Sequence, residues 1–124
     1  MKPEEQRIAI AEACGYTDVR VESGEYVDID AREITPWEYL MGDFRGARSR
    51  VPDFPNDLNA MHEAEKVLNG VRRAVFEFAL LHEVLKRPEP FNYDRGDIMA
   101  VITATAAQRA EAFLRTVGKW EESA

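Results

Sequence analysis

The stretch ATAAQRAEAFLRTVGKW, residues 104–120, constrains the fold most, because it marks both the start and the end of one amphipathic helix. Thr105 and Gln108 have the spacing of a capping box, in which the two side chains satisfy free N–H groups of the first turn. Gly118 can supply a left-handed stop, and Lys119 places a cation at the negative end of the helix dipole. The apolar stripe between these signals consists of Ala106, Ala110, Phe113, Leu114 and Val117. We therefore predict a helix that packs one face on a core.

The N-terminal third predicts a helix followed by a hairpin. Residues 3–14 begin with proline and two glutamates, which suit a first helical turn, and Gly15 can end the helix. The runs TDVRVE and EYVDIDA then alternate apolar and polar residues, as half-buried strands do. Ser23 and Gly24 lie between them and are the predicted turn. The apolar residues of these runs are Val19, Val21, Val27, Ile29 and Ala31.

Regular periodicity is lost between residues 32 and 55. The stretch TPWEYLMGDFRGARSRVPDFP holds three prolines, two glycines, four aromatic residues and three arginines. Irregular loops of this length are uncommon in compact domains and are often functional. A short helical turn around residues 37–41, or a third strand, would shorten the loop.

Two more helices and a strand are expected in the second half. Asn56 or Asp57 can cap a helix that ends near residues 69–70. A further helix follows over residues 71–87 and is closed by Pro88, with a strand over AVFEFALL as the alternative. Its predicted apolar stripe is Val71, Ala74, Val75, Phe78, His82 and Leu85. The run IMAVIT reads as a buried strand.

These elements predict an α+β fold in a single domain spanning residues 1–124. We expect a small, mainly antiparallel sheet with amphipathic helices packed on it, in an α/β/α-like sandwich. The single cysteine, Cys14, excludes an intramolecular disulfide. No segment has the length or apolar character of a signal peptide or a membrane span, which predicts a cytoplasmic protein without a membrane partner.

The charge is unevenly distributed along the chain. The net charge is −7, and residues 1–33 hold four basic groups against nine acidic ones, a net of −5. Such a chain is repelled by the phosphates of long DNA or RNA. The acidic third could face a basic protein surface, and the simpler interpretation is a solvated face that keeps the protein soluble.

Three blocks of the sequence resemble a known family. PNDLNAMHEAEKVL and ATAAQRAEAFLRTVGKW resemble segments of small bacteriophage proteins that carry the phage ABA sandwich domain, and IAEACGYTDV is similar to their usual start. The blocks cover about a third of the chain and occur in the same order. The resemblance implies a phage or prophage gene product with helices packed on a sheet, and it brings no catalytic residues. Residues 24–51 look longer and richer in Trp, Phe and Arg than the family pattern, so a specialised function would lie there.

The irregular segment carries the candidate binding residues. Guanidinium groups can clamp phosphates in a bidentate manner, and aromatic rings can stack on a base. Arg109, one turn into the last helix, could reach an anion at that helix start. The alternative is that the loop arginines pair with the neighbouring Glu38, Asp43 and Asp53. The predicted ligand-binding residues are Trp37, Tyr39, Phe44, Arg45, Arg48, Arg50 and Arg109.

No motif indicates metal, cofactor or catalysis. His62 and His82 lack a second ligand at the spacing that zinc sites use, and no phosphate-binding glycine loop occurs. We therefore predict no metal site, no cofactor and no enzymatic activity, and rank hydrolysis of a nucleotide last. The predicted function is a non-enzymatic phage accessory protein that counters host antiviral defence in the host bacterial cytoplasm by sequestering a small anionic nucleotide signal. The alternative is a protein–protein inhibitor of a host defence enzyme that acts through the acidic N-terminal hairpin, and either binder can be a homo-oligomer.

Overall fold

Helices and a three-stranded sheet make up the computed structural model, which describes residues 1–86 and 95–122 of the chain. The elements in order are α1 (Pro3–Ala13), β1 (Thr17–Asp28), β2 (Glu33–Phe44), β3 (Ala47–Arg50), α2 (Leu58–Glu65), α3 (Gly70–Leu85), α4 (Arg95–Ile102) and α5 (Ala106–Thr116). The strands are antiparallel in the order β1-β2-β3. The predicted α+β class is confirmed. Within the described ranges, no helix is both long and apolar enough to cross a membrane.

Helix α5 lies at the centre of the core, as its apolar stripe predicts. Ala110, Phe113 and Leu114 of its stripe are completely buried, Val117 is partly buried, and the helix packs against α1, α2 and α3. The Thr105 hydroxyl accepts the Gln108 N–H at 3.1 Å, and the Gln108 side chain accepts the Thr105 N–H at 2.9 Å. Gly118 adopts φ +75° just after the helix, so both predicted ends are confirmed.

The other predicted helices are also present, but α2 ends at Glu65, so its predicted end near residues 69–70 is wrong, and Gly70 instead begins α3. The side chain of Asp57 caps α2 by accepting the N–H of Ala60 at 3.1 Å. Helix α3 is continuous through Leu85 and ends at Lys86 with φ +53°, so the strand alternative for AVFEFALL is wrong. The predicted stop at Pro88 lies outside the described residues.

The buried face of α3 differs from the predicted stripe. Phe76 and Leu80 face the core, whereas Val71 is 80% exposed and Phe78 is 52% exposed. The helix is apolar on two faces, so its periodicity alone cannot say which face packs on α5. The prediction that the stripe through Val71 and Phe78 forms the core is wrong.

The run IMAVIT belongs to helix α4 rather than to a strand, so that prediction is wrong. A short apolar run is ambiguous between a buried helix and a buried strand. Here local bonds satisfy the backbone, since the N–H of Thr103 donates to the carbonyl of Met99 at 2.9 Å. The sheet is formed by residues 17–50 alone within the described chain.

The predicted hairpin is wrong, because the runs TDVRVE and EYVDIDA lie in one strand and the turn that follows it. Strand β1 runs straight through Ser23 and Gly24, and the chain reverses at residues 29–32, so the predicted turn position is wrong. The carboxylate of Asp28 shapes that turn by accepting the N–H groups of Asp30 and Ala31 at 3.0 and 3.1 Å. Gly24 is needed in the strand because the Trp37 indole lies against it, and a Cβ there would come 2.5 Å from the ring.

Most of the predicted irregular segment is sheet. The third-strand alternative is confirmed, since β2 and β3 occupy residues 33–44 and 47–50, and the helical turn proposed at 37–41 is wrong. Strand β2 turns Leu40 and Gly42 towards the helices, and both are buried. We call this side the inner face and the opposite side the outer face. Residues 24–36 form a hairpin arm whose apolar side chains are exposed, with Ile29 at 83%.

Candidate ligand-binding face of the sheet

A tight turn between β2 and β3 sets the positions of the candidate residues. Arg45 and Gly46 both have positive φ, +52° and +81°, as the two central residues of a type I′ hairpin turn require. The turn fixes the register, so Met41 pairs with Arg50. Because directly opposed residues of a sheet share one face, Arg50 lies on the outer face beside Met41.

The outer face contains a shallow hollow of about 500 Å³. This volume lies within the range of small-molecule pockets, about 300–1,000 Å³. Aromatic and other apolar side chains supply most of the lining, together with one threonine. The lining residues are Tyr26, Thr35, Pro36, Trp37, Tyr39 and Met41.

Arg50 contacts the Tyr39 ring at one side of this hollow and itself lines a smaller hollow of about 200 Å³ with Glu4, Arg7 and Glu38. Its guanidinium carbon lies 3.9 Å from the centroid of the Tyr39 ring, a cation–π contact. Trp37 and Tyr39 are stacked, with centroids 5.5 Å apart and planes inclined by 17°. Among the described carboxylates none forms an ion pair with Arg50, although Glu4 and Glu38 line the same small hollow.

Arg48 shares the outer face but is held by the protein's own acids. Its Nη2 lies 2.8 Å from the Glu22 carboxylate, and its Nη1 lies 3.4 Å from the carboxylates of Asp18 and Asp43. Its Nη1 also donates to the Asp18 carbonyl at 2.7 Å. Hydrogen bonding to Glu22 raises the pKa of Arg48 further. Arg48 therefore pairs with neighbouring acids, which is the alternative considered for the loop arginines.

Phe44 and Arg45 lie at the turn and away from the hollow. The Phe44 ring stacks on Tyr16, with centroids 4.3 Å apart and planes inclined by 5°. Arg45 covers the Phe44 ring at 4.9 Å from guanidinium carbon to centroid. Met41 and Asp43 occupy odd-numbered positions of β2 and face outwards, whereas Phe44 occupies an even-numbered position. Phe44 therefore belongs to the inner face and contributes to packing.

Arg109 lies among the helices, where it serves as a structural group. It is 8% exposed, and its Nη1 donates to the buried Glu65 carboxylate at 2.8 Å. Its Nη2 donates to the Val101 carbonyl at 3.3 Å. Arg109 also lines a second hollow, of about 490 Å³, between α3 and α4. The structure therefore brings Trp37, Tyr39 and Arg50 together and separates Arg109 from them.

Sequence reasoning missed four residues that line the outer hollow, namely Tyr26, Thr35, Pro36 and Met41. A usable signal was present, because Thr35, Trp37, Tyr39 and Met41 recur at every second position of TPWEYLM. Tyr26 pairs with Thr35 across the hairpin, and only the correct register between β1 and β2 reveals this.

The chemistry available at the hollow is stacking and charge pairing. Among the described residues that line the hollow, none is a carboxylate, a histidine or a cysteine. Across the part of the chain that the structure describes, no group of three His, Cys, Asp or Glu residues could hold a metal ion. Burial raises the pKa of the Cys14 thiol to about 11, so it is a weak nucleophile near neutral pH.

No protein-family model, curated protein or solved structure matches the chain. The class that the fold defines is therefore an α+β domain with an aromatic, arginine-flanked sheet face, and the resemblance to the phage ABA sandwich domain stays a prediction.

Proposed function

We propose that the chain is a non-enzymatic phage accessory protein that counters host antiviral defence by sequestering a small anionic nucleotide on the outer face of the sheet. The observation that supports this proposal is the row of contacts from Arg50 through Tyr39 to Trp37, which joins a guanidinium without an ion pair among the described residues to the aromatic hollow. Trp37 offers a ring on which a base can stack, and Arg50 offers a charge for a phosphate.

The charge of the chain limits the size of this ligand. A net charge of −7 repels a polymer whose phosphates run across the whole surface. A ligand with one to three phosphates needs only a local positive group, and Arg50 provides one. A small nucleotide therefore suits the outer face better than long DNA or RNA does.

Isothermal titration calorimetry with a panel of cyclic oligonucleotides and ADP-ribose-type nucleotides tests the proposal. We expect at least one tight ligand, recovered intact by chromatography. Trp37→Ala and Arg50→Gln should each weaken its binding by about tenfold or more, since stacking on an aromatic residue contributes about 1–3 kcal/mol per base. Arg45→Gln is the matched control and should bind normally, because Arg45 covers Phe44 on the turn. Absence of heat across the panel, or conversion of the nucleotide, contradicts the proposal.

A second candidate function is inhibition of a host defence enzyme through the acidic hairpin. The observation that favours it is the exposure of Val27, Ile29 and Ile34 on the hairpin arm, next to Asp28 and Asp30. An exposed apolar group with a charged surround is typical of protein-binding surfaces.

Capture from a bacterial lysate tests this candidate. The immobilised chain should retain one enzyme, more strongly at low salt, and the double variant Val27→Ser with Ile34→Ser should lose it. Val71→Ser is the control, because Val71 is equally apolar and is exposed on α3. Retention that survives the double variant contradicts a role for the hairpin arm.

A further inference from the structure

Strand β1 is a long edge strand with an open side. It spans twelve residues, pairs with β2 on one side, and has no partner on the other side among the described residues. Proteins usually protect such edges with proline, charged side chains, bulges or covering elements, and the charged residues of β1 are Asp18, Arg20, Glu22, Glu25 and Asp28. Strand β1 contains no proline, and its irregularity is confined to its start between Thr17 and Arg20. The open part of β2, by contrast, carries Pro36.

The register shows which backbone groups of β1 face the open side. The N–H of Val51 donates to the carbonyl of Leu40, so even-numbered residues of β2 point their backbone groups towards β3. Odd-numbered residues of β2 therefore bond to β1, and Tyr39 is paired with Glu22. It follows that the residues of β1 that present N–H and C=O groups to the open side are Val21, Ser23, Glu25 and Val27.

We propose that this edge pairs with the same edge of a second copy, antiparallel and with Gly24 opposite Gly24, to form a continuous six-stranded sheet. Charge complementarity selects the occupant. In this register Arg20, which also forms exposed ion pairs with Asp18 and Glu22 of its own strand, lies opposite Asp28 of the second copy on the outer face, and Val21 lies opposite Val27 on the inner face. Both pairs occur twice because the interface is two-fold symmetric.

The neighbouring registers are less favourable. Moving the two-fold axis of the dimer from Gly24 to Ser23 places Val21 opposite Glu25 and separates Arg20 from Asp28 of the second copy. Moving it to Glu25 places that carboxylate opposite itself and Glu22 opposite Asp28. Like charges directly opposed destabilise a pair of strands. The side-chain pattern of β1 thus fits one register of self-association.

The proposed axis also passes beside Trp37. The indole of Trp37 lies against Gly24, so pairing at Gly24 brings the two indoles of the dimer next to one another. The two outer hollows then adjoin across the seam. The inference goes beyond the proposed function, because the dimer forms in the absence of any nucleotide.

Sedimentation velocity over a range of protein concentrations tests the dimer. We expect a concentration-dependent species of twice the 14.1 kDa chain mass. Ser23→Pro removes an N–H that faces the open side while sparing the bonds to β2, and it should raise the dimer dissociation constant by about tenfold or more. Glu38→Pro is the matched control, since Glu38 presents its N–H to the open side of β2, and it should leave the dimer intact.

Circular dichroism should show both proline variants folded. An unaltered chain that stays monomeric at every concentration overturns the proposal. So does a dimer that persists at full strength in folded Ser23→Pro, because the contact would then lie on another face. If Ser23→Pro unfolds, cysteine cross-linking decides whether the edge of β1 is the dimer contact.

Cysteine cross-linking tests the register. Position 23 of one copy should face position 25 of the other at about 5.5 Å between Cα atoms, a spacing that a disulfide can bridge. A mixture of Ser23→Cys and Glu25→Cys chains should therefore form a disulfide-linked dimer under mild oxidation, and neither variant should do so alone. The high pKa of the native Cys14, about 11, keeps its thiol largely unreactive.

Cross-linking of Ser23→Cys alone, of Glu25→Cys alone, or of neither sample contradicts the proposed register. The outcome is independent of nucleotide binding. Calorimetry that fails to find a ligand leaves the dimer standing, and a monomeric chain leaves the outer hollow of each copy in place.

Discussion

The buried pair of Arg109 and Glu65 permits a test that separates packing from ligand binding. Arg109 Nη1 lies 2.8 Å from Glu65 Oε1, and the two side chains are 10% and 3% exposed. Arg109→Met keeps much of the aliphatic stem and removes the charge, which leaves the Glu65 carboxylate buried without its counter-charge. Breaking such a pair from one side costs about 3–5 kcal/mol. We expect a loss of this size in the free energy of unfolding.

Replacing both partners should cost far less. Each side chain of the pair leaves one polar atom unsatisfied, since Glu65 Oε2 and Arg109 Nε have no hydrogen-bond partner among the described atoms. An unsatisfied buried polar atom costs about 1–3 kcal/mol, so apolar replacement removes penalties along with the attraction. The free energy of unfolding of the double variant Arg109→Met with Glu65→Leu should lie within about 1 kcal/mol of that of the unaltered chain. The double-mutant cycle should therefore give a coupling of about 3 kcal/mol or more.

The pH dependence of the single variant has a definite sign. Burial raises the pKa of Glu65, and the charge of Arg109 opposes that rise. Without Arg109 the pKa should rise further, so the folded state takes up a proton more readily than the unfolded chain does. The stabilisation by that proton is complete below the unfolded pKa and is lost as pH rises through the folded pKa. Arg109→Met should therefore gain stability on acidification from neutral pH, relative to the unaltered chain.

Urea unfolding followed by circular dichroism, at neutral and mildly acidic pH, measures all four chains. A loss below about 1 kcal/mol in Arg109→Met, or a loss that does not shrink on acidification, would refute the reasoning. Calorimetry adds a separate readout, because folded Arg109→Met should bind the nucleotide as the unaltered chain does. Loss of binding at unchanged stability would place Arg109 in the ligand site after all.

Three further predictions concern the core and the helix ends. Phe76→Ala should lower the free energy of unfolding by about 3–5 kcal/mol, because Phe76 is 1% exposed, whereas Phe78→Ala should lower it by about 1 kcal/mol or less. Urea unfolding of the two variants checks which face of α3 is buried. Thr105→Ala should lower the unfolding free energy by about 1 kcal/mol through loss of the capping box at α5, and Thr105→Ser should restore most of it. Cys14, with a thiol pKa of about 11, should react with iodoacetamide far more slowly at pH 8 than an unfolded-chain control, and equal rates would show that the thiol is not buried.

The helices were predictable because their ends carry local signals. Thr105, Gln108 and Gly118 act through hydrogen bonds and backbone conformation within one or two turns, so no knowledge of distant residues is needed. The buried side of α3 was not predictable in the same way. Both of its faces are apolar, and the choice between Phe76 and Phe78 depends on where α5 lies.

The sheet was harder to predict because pairing between strands is not local. Ser23 and Gly24 have the composition of a turn, yet the chain passes through them as a strand because Trp37 fills the space beside the glycine. The candidate site was hard to predict for the same reason. Trp37, Tyr39 and Arg50 could be named from residue type, but only the register of three strands puts them on one face and assigns Arg48 to its acids.

Gly24 and Pro36 both break the ordinary preferences of a strand interior, and the register explains each of them. Glycine packs poorly in strands, and here its missing Cβ admits the indole that lies beside the outer hollow. Proline cannot donate to a ladder, and at position 36 its nitrogen faces the open side of β2, where no described strand needs the bond. One edge of the arm is thereby closed to strand addition while the edge of β1 stays open, with Gly24 at its middle. In the proposed dimer the two exceptions thus direct association to β1, where Arg20 and Asp28 of the two copies can pair, and they keep the aromatic face beside that seam.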